Sequence, residues 1–231
     1  MSWLRRIIGS EAREQWSTHA RESILEVNDG IATAAGLAEG VATAGASNRT
    51  LLVAGVAVIV AGSFAAAGAR YSEARTEWEM NSKLLEAERD SIAADPEAEL
   101  EELAEIYEAK GLPTELAREV AEALMARDPV AAHADAELHL DLTLPPQFSV
   151  YAAVVAGLSY ALGAAVPLVV VTLVPVEPRV ELTAVAVLVA LGLTGWFTSW
   201  LTGLSPLRLV RRNLALGVAT LSAGIIIGVV S

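Results

Sequence analysis

Long stretches without a single charge recur along this chain, and each has the length of a helix that crosses a bilayer. Residues 50–69, 148–176, 182–207 and 214–231 carry no Asp, Glu, Lys or Arg. Each approaches or exceeds the roughly 18–20 apolar residues that span a hydrocarbon core about 30 Å thick. A fifth stretch, residues 30–48, holds one acid, Glu39. The pattern predicts an all-α membrane protein with five transmembrane helices. Pro167 falls inside the third span, where a proline is expected to kink the helix. Small residues recur in the spans: Gly62, Ala66 and Gly68, then Gly157, Ala161 and Gly163. Gly36 and Gly40 have the same four-residue spacing. Such residues let helices approach closely in lipid.

Between the second and third spans the pattern changes. A helix is predicted from Tyr71 to about Ile92, continuing the second span. Asp95-Pro96 then opens a helix, with proline at its first position, and Gly111 ends it. Thr114 is the expected N-cap of a helix over 115–127. A shorter helix follows over about 130–140, and Pro145-Pro146 breaks the chain before the third span. The expected segments are thus 1–20 (amphipathic), 21–70 (spans one and two), 71–147 (a polar helical insert) and 148–231 (spans three to five). Residues 1–20 set Trp3, Ile7, Ile8 and Trp16 among charges, as in a helix lying on a membrane surface rather than a signal peptide.

Composition sharpens this division. The 231 residues are 54% hydrophobic and 19% charged, with a net charge of −12. Residues 70–147 contain 20 acids and 7 bases, a local net of −13. An acidic protein of this kind is not a nucleic-acid binder, which needs basic surface. With no cysteine, disulfides, thiolate metal sites and thiol nucleophiles are excluded. Arginines are also unevenly placed. Arg5, Arg6, Arg13, Arg21, Arg208, Arg211 and Arg212 fall on one side of a five-span topology, and Arg49 and Arg179 on the other. The positive-inside rule then puts the N-terminus and the acidic insert in the cytosol and the C-terminus outside, in what is expected to be a prokaryotic cell membrane.

Two acidic constellations carry candidate chemistry. In the insert, Glu88, Glu99, Glu102, Glu105 and Glu137 converge if the helices pack side by side. Glu99 and Glu102, and His133 and Glu137, have spacings that share a helix face. Carboxylates held together repel unless a cation bridges them, and hard divalent cations take carboxylate oxygens. Adding histidine admits iron, manganese or zinc. The alternative is a solvated acidic surface. In the first span, Glu22, Glu26 and Asp29 share a face, and Glu39 lies deeper. Acids at membrane depth are costly and mark ion or proton routes. Only Arg21 offers itself as a basic partner. The alternative is that Glu22 and Glu26 reach the interface while Asp29 caps a helix broken at Asn28-Asp29-Gly30, a turn signal.

Enzymatic motifs are missing. Ser63 and Ser159 have no histidine in their apolar surroundings, His19 stands alone, His139 is expected on the surface, and no glycine-rich phosphate loop occurs. Trp196 and Trp200, one turn apart, are expected to be interfacial anchors.

Four segments in order resemble the vacuolar iron transporter family. These are Arg21-Glu22-Ser23 with Asn28-Asp29-Gly30, the stretch PEAELEELAEIYEAKG from Pro96 to Gly111, AGLSYALGAAVPL from Ala156 to Leu168, and Ser205-Pro206-Leu207-Arg208. The resemblance implies a homodimer that exports Fe2+, or Mn2+, from the cytosol in exchange for protons. It implies that Glu88, Glu99, Glu102 and Glu137 gather metal, with His133 where plant members have methionine, and that Asp29 is the first-span aspartate. A further family glutamate falls near Ser91. Family members usually place a glutamate and methionines along the second span. Here that stretch, VIVAGSFAA over 58–66, has neither, while Glu26 replaces the family's first-span glycine. Either the route has moved its ligands to the first span, or the chain is a divergent, non-transporting member that binds or senses metal.

Overall fold

A computed structural model describes residues 10–137, 148–175 and 177–231, with side chains from residue 19 onward. The expected break at Pro145-Pro146, His139 and the amphipathic residues Trp3, Ile7, Ile8 and Trp16 lie outside the described backbone or side chains. The described residues form eight helices. They are α1 (Ser10–Thr43), α2 (Asn48–Ala94), α3 (Pro96–Ala109), α4 (Thr114–Arg127), α5 (Pro129–Ala136), α6 (Phe148–Leu173), α7 (Arg179–Thr202) and α8 (Pro206–Val230). Four of them, α2, α6, α7 and α8, are long and apolar enough to cross a membrane. Helix α1 is not among them, because Glu26, Asp29 and Glu39 interrupt a run of mostly small residues. The chain divides into two compact units, one of Met1–Arg70 with Tyr151–Ser231, the other Tyr71–Val150. Helix α2 contributes to both.

In the first unit, α1 is the element around which the others pack. Its Ile31 and Ala35 meet Val187 and Leu191 of α7 and Leu221 of α8 in one buried cluster. Ala34 meets Tyr160 and Ala164 of α6, and Ala38 meets Leu51 of α2 and Val171 of α6. Outward-facing positions are apolar instead of polar: Phe64, Leu162, Leu193 and Ile226 are exposed. Exposed apolar surface on this scale suits lipid rather than water.

Helix α1 runs unbroken through Asn28-Asp29-Gly30, so the expected break does not occur. Gly30 serves another purpose. A Cβ there would overlap the Tyr160 carbonyl of α6, and one on Gly163 would overlap the Val27 carbonyl. Along the far half of α1, Gly36 and Gly40 meet Gly224 and Gly228 of α8 backbone to backbone. Helix α6 runs through Pro167, and α7 stops at Gly203, whose φ of 70° is the left-handed conformation glycine accepts without strain.

The second unit is a small helical bundle. Asp95 caps α3 by accepting a hydrogen bond from the Ala98 amide at 3.1 Å, and Gly111, with φ of 102°, turns the chain after it. Thr114 proves to be the first residue of α4, not its cap. Pro113 takes the cap position and supplies no side-chain hydrogen bond. Asp128 caps α5 through the Ala131 amide. Leu103, Ala104, Ala121, Ala132 and Ala136 form the core, with Leu100, Tyr107 and Leu124 packed against them. Alanine dominates, so α3, α4 and α5 come close enough for side chains from separate helices to meet.

Candidate metal centre

His133 is fully buried near the end of α5. Three carboxylates surround its Nδ1: Glu88 of α2 at 3.0 Å, Glu137 at 3.7 Å and Glu99 of α3 at 3.9 Å. Glu88, Glu99 and His133 each offer a ligand atom within 4.8 Å of the others. The 3.0 Å contact does not align as a hydrogen bond, and neither ring nitrogen of His133 has a hydrogen-bond partner among the described residues. Buried polar atoms are almost always paired; in the neutral ring one of these nitrogens carries a lone pair that a metal ion could accept, and the other an N–H.

Local structure explains the convergence. Glu99 lies in the first turn of α3, fixed by the Asp95 cap. Glu137 closes α5, donating its backbone N–H to the His133 carbonyl. Glu88 lies on α2 shortly before that helix ends at Ala94. Burial is the main influence pushing the Glu88 carboxyl above its ordinary range. The neighbouring His133 opposes this, and Glu137, Glu99 and Glu102 reinforce it. A doubly charged ion among these oxygens would replace the proton and relieve the repulsion. Carboxylate oxygens with one imidazole suit Fe2+, Mn2+ or Zn2+.

Other acids in this unit stay outside. Glu102 is exposed, though its charge reaches Glu88. Glu105 is exposed as well. Arg118 of α4 holds Glu97, Glu101 and Glu122 at 2.8–3.2 Å on the surface, an arrangement the sequence did not announce.

In the first unit, Glu22 pairs with Arg70, at the point where α2 leaves that unit. The expectation that only Arg21 was available as a partner is therefore corrected. Glu22, Glu26, His19, Arg70 and Tyr151 line a cavity of about 190 Å³. Asp29 is exposed on α1, whereas Glu39 is buried. Sequence reasoning missed a buried polar link at the level of Asn28. Thr194 of α7 donates to Asn28 Oδ1 at 2.5 Å and accepts from Asn213 Nδ2 of α8 at 3.3 Å. Its signal was present, since Asn28, Thr194 and Asn213 are polar side chains within apolar surroundings.

Several membrane-length apolar helices with a separate bundle holding a buried histidine among carboxylates define an integral membrane protein with a candidate metal site. The chain belongs to the VIT family, whose model matches residues 20–229. It is 29% identical over 205 residues to Vacuolar iron transporter 1 of Arabidopsis thaliana, covering 88% of this chain and 82% of that one. It is 30% identical over 190 residues to Vacuolar iron transporter 1 of Oryza sativa subsp. japonica, covering 80% and 75%. It is also 36% identical over 118 residues to Vacuolar iron transporter of Acanthamoeba castellanii, covering 51% and 42%.

Proposed function

We propose that this chain is a membrane transporter that exports Fe2+, with Mn2+ or Zn2+ as alternative cargo, from the cytosol in exchange for protons. The buried His133 within 3.0–3.9 Å of three carboxylates carries the reading. Glu88, Glu99, Glu137 and His133 capture the ion from a cytosolic Tyr71–Val150 unit, and Glu102 adds attractive charge. Helix α1 serves as the first of five spans, with the N-terminus in the cytosol and the C-terminus outside. Its close packing on α6, α7 and α8 supports that role. The cation then passes Glu26 and Asp29. Asp29 is exposed in a single chain, and an acid facing lipid is costly. A second copy covering α1 removes that cost, so the transporting form is a homodimer.

The full chain in proteoliposomes tests this. Fe2+ uptake driven by an opposing pH gradient, and its loss in Asp29→Ala, is the expected result. The absence of the family's glutamate and methionines over 58–66 favours a second reading, a protein that binds or senses metal without moving it. Metal binding by the full chain with no flux in the same vesicles would select that reading.

A further inference from the structure

Glu39 lies on α1 one turn before Thr43 and is 1% exposed. Neither of its carboxylate oxygens has a hydrogen-bond partner among the described residues, and the Thr43 hydroxyl oxygen is likewise buried without one. Residues four apart share a helix face, so two unsatisfied polar groups face the same interior. They sit at the end of the first unit where α1 and α2 join. Gly228 of α8 touches Gly40 and Thr43 there, and Ala38 packs on Val171 of α6.

The charged groups at this end are few. Helix α7 supplies Glu181 and Arg179 in its first turn. Arg179 is held by one nitrogen: its Nη2 donates to Asn48 Oδ1 at 2.6 Å and to the Val174 carbonyl at 3.3 Å, while its buried Nε has no hydrogen-bond partner among the described residues. It makes no ion pair with Glu39 among the described residues. Arg49 at the start of α2 and Glu177 before α7 are exposed. Helix α6 contributes no charged residue, and α8 none beyond Arg212. An ionised Glu39 would be a buried charge with no ion-pair or hydrogen-bond partner among the described residues, which is costly. A multidentate metal site is also not assembled, since the one cluster of metal-ligating side chains among the described residues is at His133.

We propose that Glu39 is a proton-binding site inside the helix bundle, a neutral carboxyl one turn from the buried Thr43 hydroxyl that exchanges its proton at the end of the bundle where α1 and α2 join. It deepens the transport reading, because it supplies that exchange with a proton carrier separate from the metal ligands. A carboxyl of this kind can donate one hydrogen bond when protonated and becomes a costly anion when emptied, so release requires that the interior open.

The test uses the full chain in lipid vesicles and a hydrophobic carbodiimide, which reacts only with protonated carboxyls. Mass spectrometry is expected to find Glu39 modified at neutral pH, with exposed Glu181 unmodified as the internal control. Infrared spectra of the same preparation are expected to show a protonated carboxyl band that Glu39→Gln removes. An unmodified Glu39 on the unaltered chain overturns the proposal, and so does a band that survives Glu39→Gln. Metal uptake measured alongside separates the two readings. Glu39 modified in a chain that moves no metal upholds the proton site and sinks transport. A chain that transports with Glu39 unmodified does the reverse.

Discussion

Glu88 Oε1 of α2 lies 3.0 Å from His133 Nδ1 of α5, buried and without the alignment of a hydrogen bond. It is the contact on which the proposed metal site rests. His133→Ala in the full chain is expected to weaken Mn2+ binding at least about tenfold, or about 1.4 kcal/mol. Glu102→Gln, at an exposed position, is expected to cost under about 1 kcal/mol. Titration calorimetry distinguishes them, and equal losses would remove the special place given to His133.

The same burial sets a pH dependence. The Glu88 carboxyl is raised above its ordinary value of 4.5, so the folded chain holds this proton more tightly than the unfolded chain does. Its stabilising contribution is fully present below 4.5 and is lost as pH rises through the raised folded value. The metal-free protein is therefore expected to lose this increment of thermal stability on going from acid to neutral pH. Added Mn2+ restores it at neutral pH and has little effect in acid, where protons compete for the same oxygens. Melting curves followed by circular dichroism at both pH values, with and without metal, check the sign.

Asp29 and the His133 cluster belong to different units, so their losses are expected to differ in kind. Asp29→Asn should abolish Fe2+ flux in proteoliposomes while leaving calorimetric metal binding within about twofold, or about 0.4 kcal/mol. A mutant that lost both together would show that Asp29 acts on folding.

Asn213 tests how much a buried polar link contributes between membrane helices. Asn213→Leu removes the donor to Thr194 and to the Leu191 carbonyl. In water an orphaned buried partner costs about 1–3 kcal/mol, but links between membrane helices average about 0.6 kcal/mol. The smaller figure is expected, because the Thr194 hydroxyl keeps Asn28 Oδ1 as an acceptor, with the Leu191 carbonyl as its alternative. Unfolding in mixed detergent measures it.

Gly224→Ala is expected to cost more, about 1–3 kcal/mol from overpacking. The added methyl would overlap the Gly36 carbonyl, and a backbone atom cannot turn aside as a side chain can.

Much of this architecture was legible in the sequence because its signals are local. Absence of charge marked four of the apolar helices, Asp95-Pro96 marked the start of α3, and Gly111 marked the turn after it. Readings failed where a distant partner overrode a local signal. Asn28-Asp29-Gly30 has the composition of a turn, yet Gly30 is needed where α6 presses against α1, and Asn28 is held by Thr194 of α7. Arg70 as the partner of Glu22 was hidden for the same reason. In the candidate site, spacing identified which acids share a helix face. It did not tell that Glu99 turns inward while Glu102 and Glu105 remain exposed, because that depends on how α3 is rotated against an alanine-rich core.

The run of Gly36 and Gly40 against Gly224 and Gly228 has a mechanical consequence. Where Gly224 and Gly228 seat on the Gly36 and Gly40 carbonyls, main chain rests on main chain and leaves little side chain to slide or re-pack, while Thr220 and Leu221 flank the contact. In the proposed transport cycle, a movement of α1 would therefore tend to carry α8 with it as one strut.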